Sequence, residues 1–204
     1  MEKKEKILKY IKDKYNPISI FVYGSFNKGT NNQNSDFDSL IIVNEKVTSY
    51  DNTMISNTYL DLFIYTLEEI EQLQNLQNFV HLYNASLVLD NQNIGKNFLE
   101  KIKKYVDLNS LKSLEEKEHL SIWIDKMLER IKVKDTEGMY RYHWLIMDSL
   151  ELYCIFRDKF FEGSKDTIEY LEKYDKIGYK LFCTSLKNFD IDTLEKWCLY
   201  VKIN

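Results

Sequence analysis

The apolar positions of this chain change their spacing near residue 107. Before it, short β-branched and aromatic runs alternate with polar segments. After it, apolar residues recur at helical spacing only. The span 2–14 places Ile7, Leu8 and Ile11 on one face among lysines, which predicts an amphipathic helix, ended by Asn16-Pro17. "ISIFVY" (18–23) predicts a short buried strand, followed by a polar segment from Gly24 and Ser25. "FDSLIIV" (37–43) and "NTYLDLFIYT" (57–66) predict two more strands, the latter with Asp61 inside its apolar run. Residues 67–76 predict a helix opened by Thr66, with Glu69 three positions on in a capping-box pattern. "ASLVLD", ending at Asp90, predicts a further strand, and "IGKNFLEKIKKYV" an amphipathic helix.

The second half predicts four helices: 114–133; 138–161, apolar on nearly every side and so central and buried; 164–186, with Ser164 as N-cap; and 192–201. The fold expected is α/β in the α+β sense. A small mixed-sheet domain with flanking helices (1–107) precedes an all-α helical bundle domain (108–204). No repeat or low-complexity linker separates the two.

Composition narrows the function classes. Apolar residues make up 44% of the 204 positions, enough for a core, and one proline with six glycines argues against disorder. The net charge of −4 offers no basic surface for a duplex nucleic acid, and no nucleic-acid partner is expected. Cys154, Cys183 and Cys198 have neither metal spacing nor an even count, so a reducing, cytoplasmic setting is expected. "MEKKEKILKY" is charged and has no apolar core after it, so no signal sequence is expected, and no run approaches the roughly 18 apolar residues of a membrane span.

The candidate chemistry lies between Tyr23 and Ile42, in "YGSFNKGTNNQNSDFDSLII". Asp36 and Asp38, two apart at a strand start, share one face at a Cα separation of about 6–7 Å, with Phe37 and Leu40 expected to point away into a core. Two carboxylates this close raise each other's pKa unless a cation lies between them, and hard oxygen ligands suit Mg²⁺ or Mn²⁺. Asp61 needs a partner inside its apolar run, and a neighbouring strand could bring it beside the pair. Three carboxylates could then hold two ions roughly 3.5–4 Å apart, the spacing used for in-line phosphoryl displacement. Gly24 lets the backbone approach a ligand, and a helix starting at Ser25 could hold a phosphate. Gly24 and Gly29 have P-loop spacing, but Thr30 stands at the lysine position and Lys28 precedes the second glycine, so a P-loop is not expected.

Gly24-Ser25, Gly29, Asp36-Phe37-Asp38 and then Asp61 in "LDLFIY" resemble the signature of the DNA polymerase β-like nucleotidyltransferase superfamily, over roughly residues 18–90. The resemblance implies a metal-dependent enzyme that moves a nucleoside monophosphate from an NTP, most simply ATP, to an acceptor hydroxyl, with release of pyrophosphate. It implies that Gly24, Ser25 and Lys28 bind the nucleotide, that Asp36, Asp38 and Asp61 bind two Mg²⁺ ions (or Mn²⁺), and that Asp61 helps deprotonate the acceptor. The helical half is similar in general shape to those of enzymes acting on kanamycin or lincosamides, which implies a small-molecule acceptor such as an antibiotic.

In the second half, Asp148 and Glu151 lie three apart on the apolar helix, as acceptor ligands or as partners of Arg141 and Arg157. Tyr140, His143 and Trp144 line a pocket or merely pack. His81 and His119 look isolated. Two other functions fit the same residues: a protein-modifying (AMPylating) enzyme of the antitoxin type, and a non-catalytic nucleotide-binding module. A monomer or homodimer without membrane attachment is expected.

Overall fold

The structure is a computed structural model, and it describes residues 3–203. The chain divides into two compact units between Val106 and Asp107. In the first, α1 (Lys3–Tyr15) leads to β1 (Ser19–Val22), the short α2 (Gly24–Lys28), β2 (Phe37–Val43), β3 (Tyr50–Asp51), β4 (Leu60–Thr66), α3 (Leu67–Glu71), a 3₁₀ turn (Gln77–Leu82), β5 (Ser86–Asp90) and most of α4 (Ile94–Asn109), whose last three residues lie past the division. Position 2, where the first helix was expected to start, lies outside the described residues.

The sheet has the order β3-β4-β2-β1-β5. β2 and β4 run parallel, with Asp38 paired to Asp61, and the other pairs are antiparallel. Residues alternate between faces. Phe37, Ile41, Leu60, Leu62 and Ile64 therefore share one face with Ile20 and Val22, where Ile7 and Ile11 of α1 complete the core. Asp38, Leu40, Asp61, Phe63 and Tyr65 share the other. Here Leu40 departs from expectation: it does not point away from Asp38 but lies on the same face, two residues on, and is still fully buried. This second face is covered in part by the aromatic chain Phe21–Phe98–Phe79–Tyr65, with ring centroids 5.1–6.1 Å apart, from α4 and the 3₁₀ turn.

The two-residue strand β3 was not expected from the sequence. Its Asp51 is buried and accepts from Tyr15 Oη at 2.6 Å, Lys14 Nζ at 3.0 Å and Tyr10 Oη at 3.1 Å, all on α1, and from the Thr53 hydroxyl at 2.6 Å and its amide at 2.8 Å. Burial alone would push this carboxyl up, but the bonds from Thr53, Tyr15 and Lys14 outweigh it and hold the carboxyl well below the usual range. A depressed carboxyl stabilises the fold above its unfolded pKa and stops doing so as pH falls through the folded one. Acidification below about pH 4 should therefore cost the wild type more stability than Asp51→Asn, read as Tm against pH; parallel acid profiles would refute the clamp.

α3 opens with the full Thr66/Glu69 capping box but stops at Glu71 rather than residue 76. The Asn75 side chain instead accepts from the Gln77 amide at 2.8 Å and turns the chain into the 3₁₀ segment. Asp90 accepts from the amides of Gly95 and Lys96 and from Ser19 Oγ, fixing the start of α4 on the sheet.

The second unit contains α5 (Leu114–Ile131), α6 (Thr136–Phe156), α7 (Ser164–Tyr174), α8 (Lys176–Asn188) and α9 (Ile191–Lys202). The single helix expected over 164–186 is broken at Asp175. Its carboxylate caps Gly178 N at 2.9 Å and accepts from Tyr153 and Tyr200, both at 2.7 Å. Ser164 is not the N-cap; Gly163 holds that position without a side-chain bond. α6 is shorter than expected and buried on one side only. Leu145, Ile146, Leu150 and Tyr153 enter the core with Trp197, while Met139, Tyr140, Trp144 and Met147 are exposed. Among the described residues no helix is long and apolar enough to cross a membrane.

Candidate functional site

The site grows from the end of β1. Tyr23 is extended, and Gly24 then turns at φ +63° into α2. The Tyr23 amide donates to the Asp38 carbonyl at 3.1 Å, so β1 delivers Gly24 directly against Asp38. A Cβ built on Gly24 would stand 2.0 Å from Asp38 Oδ2. The glycine is thus required twice, once for its backbone angle and once because a carboxylate occupies the space a side chain would fill.

Ser25 is half-buried in the first turn of α2, and Gly29 ends the helix in the left-handed region at φ +71°. Lys28 is exposed in the last turn, about 6 Å along the axis from Gly24. The asparagine-rich loop (31–35) is folded on itself: Asn32 N donates to Ser35 Oγ at 2.9 Å, Asn34 N to Asn32 Oδ1 at 2.9 Å, and Ser35 N to Asn32 O at 3.2 Å. That turn returns the chain to Asp36 and β2.

Asp38 and Asp61 are register partners on neighbouring parallel strands, which places their Cα atoms about 5 Å apart on one face. Asp36 is exposed, immediately before β2. Among the described residues no three or more His, Cys, Asp or Glu side chains are gathered in a metal-holding group. The pair Asp38/Asp61 has the donor chemistry that suits a divalent cation, hard carboxylate oxygens from adjacent positions, and the missing Cβ of Gly24 leaves the room that Asp38 occupies.

Three further residues surround Asp61. Tyr50, on β3 and paired with Phe63, shares the face of Asp61 one diagonal away; the interaction of its hydroxyl with that carboxylate, followed by burial, raises the phenol pKa. Tyr23 is raised well above the ordinary phenol range, by burial first and then by the charges of Asp61 and Asp38. Its ring lies 4.7 Å from the imidazole of His81, on the 3₁₀ turn. His81 is lowered by burial, opposed by a bond to the Asn78 backbone and by the Asp61 charge. Asn27 Nδ2 donates to the Asn84 carbonyl at 2.8 Å and ties α2 to the segment after that turn. None of the three was singled out for the site by sequence. His81 belongs to no periodic run, Tyr50 lies in a polar stretch, and Tyr23 reads as the last residue of a strand.

Asp148 and Glu151 belong to the other unit. Asp148 accepts from Trp144 Nε1 at 2.6 Å, and Glu151 is exposed. The arginine pairing considered for them is not seen: Arg141 bonds Glu137, and Arg157 donates to the carbonyls of Tyr200 and Val201.

The chain matches the nucleotidyltransferase domain family over residues 4–134, well over half its length and through the whole of α5. No curated protein matches it. Among solved structures it is similar to a nucleotidyltransferase-like protein from Exiguobacterium sibiricum 255-15, at 11% identity and a TM-score of 0.39, over 98% of this chain and 72% of that one. With the family match covering the glycine turn and all three aspartates, the chain belongs to the nucleotidyltransferase domain family of the DNA polymerase β-like superfamily, and its general activity is nucleotidyl transfer.

Proposed function

We propose that this chain transfers a nucleoside monophosphate from ATP to a hydroxyl group of a small molecule, at the face shared by Asp38 and Asp61. The observation that carries this reading is the in-register carboxylate pair with the Gly24 backbone packed against Asp38. In this reading the first unit is the catalytic domain. Gly24 and Ser25 receive the phosphates, and Lys28 adds positive charge. Asp38 and Asp61 would hold Mg²⁺ or Mn²⁺, and Asp36, exposed just before β2 and not gathered with them in the structure, would join once an ion is bound. When bound, such ions lower the pKa of an acceptor hydroxyl and neutralise charge on the departing pyrophosphate.

The acceptor oxygen attacks the α-phosphorus, the bond to the β,γ-pyrophosphate breaks, and the hydroxyl proton passes to a base, for which Asp61 is the candidate. The chain's own contribution is positioning: Asp38 is fixed by strand pairing and by Gly24, and Asp61 by strand pairing. Asp148 and Glu151 of the helical unit are candidate carboxylates for a cationic acceptor group. Aminoglycosides and lincosamides are the first acceptors to test.

Incubation with α-labelled nucleoside triphosphates, Mg²⁺ and a panel of such hydroxylated molecules tests this reading. Label on a small molecule supports it. Label on a protein would show a protein-modifying enzyme instead, and nucleotide binding without transfer to any acceptor would show a binding module.

A further inference from the structure

We propose that Tyr50 is a positioning residue for Asp61, and that the Asp51 clamp on α1 holds Tyr50 in place. This rests on the reading that Asp61 is a site carboxylate. Tyr50 pairs with Phe63 and Asp51 with Leu62, so the two neighbours point to opposite faces of the sheet. Tyr50 lies over Phe63, with centroids 5.3 Å apart, on the face that Asp61 shares two residues back on β4, so its hydroxyl and that carboxylate are diagonal neighbours. Asp51 lies on the α1 face, where Tyr10, Lys14 and Tyr15 converge on one of its oxygens and Thr53 on the other.

A strand of two residues has little ladder of its own. Beyond it, the pairing runs on through the bonds from Ile64 N to Ser49 O at 2.9 Å and from Leu60 N to Thr53 O at 3.1 Å, and through a single Met54–Tyr59 bridge. The clamp supplies the further restraint. It ties the edge strand to a helix packed on the opposite face and so fixes where the Tyr50 hydroxyl stands. A phenol O–H donated from that position would occupy one lone pair of the Asp61 carboxylate and leave the others for an ion, the arrangement by which outer partners orient ligating carboxylates. β3 is then a strut that carries the placement of α1 through the sheet to the site.

The test titrates Mn²⁺ alone onto the full chain, followed by electron paramagnetic resonance, with Tm measured in parallel. Tyr50→Phe should weaken Mn²⁺ binding about tenfold and leave Tm near that of the wild type, since the ring and its packing on Phe63 remain. Tyr15→Phe, which removes the shortest α1 bond to Asp51 without removing the carboxylate, should weaken binding in the Tyr50 background and add nothing in the Tyr50→Phe background. Asp61→Asn should weaken it more than either. Tyr50→Phe binding Mn²⁺ as tightly as wild type, while Asp61→Asn does not, would overturn the role of Tyr50 alone. An equal Tyr15→Phe effect in both backgrounds would overturn the strut. Wild type binding no Mn²⁺, or Asp61→Asn binding it unchanged, would overturn the proposed site and the role of Tyr50 with it.

Discussion

Gly24→Ala is expected to leave a folded protein with its activity reduced at least about 100-fold. Two effects act at this position and they separate. The backbone angle of +63° costs an alanine about 1–2 kcal/mol. The new methyl would also stand 2.0 Å from Asp38 Oδ2 and 2.7 Å from its Cγ, distances no real pair of atoms tolerates. What it meets is the end of a half-buried side chain rather than backbone, so the fold survives by Asp38 rotating away. The carboxylate then leaves its place opposite Asp61, and misplacement of a reacting group by about 1 Å can cost a hundredfold in rate. Gly29→Ala is the control. It carries the same kind of backbone strain at φ +71°, but nothing lies within 4 Å of its Cβ position. It should lose comparable Tm and keep most of its rate. Equal rates for the two variants would refute the account of Gly24.

Asp38→Asn is expected to lower transfer on the order of 10³-fold, about 4 kcal/mol of transition-state stabilisation, with Tm unchanged or slightly raised. Asparagine keeps the shape of the side chain and removes the charge. Asp38 and Asp61 are like charges on paired residues, so neutralising one removes repulsion that the unliganded fold otherwise bears. A stabilised, inactive variant is the signature of a charge kept for function rather than for folding. Asp36→Asn should also abolish transfer with the fold intact. Asp38→Asn with wild-type rates would remove the basis of the site.

The local parts of this fold were legible in the sequence because they depend on local chemistry. The bounds of β2 follow from an apolar run, and the start of α3 from a capping box of adjacent residues. The glycine turn and the three aspartates stand in an order and context that mark a known site. What the sequence withheld depends on partners far along the chain. β3 is two residues long, paired to β4, and its Asp51 is bound from α1 some 36–41 positions away. Tyr50 and His81 join the site through strand order and a 3₁₀ turn, neither of which leaves a period to read. The break at Asp175 was hidden because its capping carboxylate is also held by Tyr153 and Tyr200, whose distance in sequence conceals the contact. The exposed side of α6 shows the opposite failure: an apolar composition all round does not state which face the neighbouring helices cover.

The most direct test is a pair of reactions run with α-labelled and with γ-labelled ATP, Mg²⁺ and the same acceptor, on the wild type and on Asp38→Asn. The expected result is α label in the acceptor and γ label in pyrophosphate for the wild type, and neither for the variant. Label from the γ position in the acceptor, or equal transfer by Asp38→Asn, would contradict nucleotidyl transfer at this site.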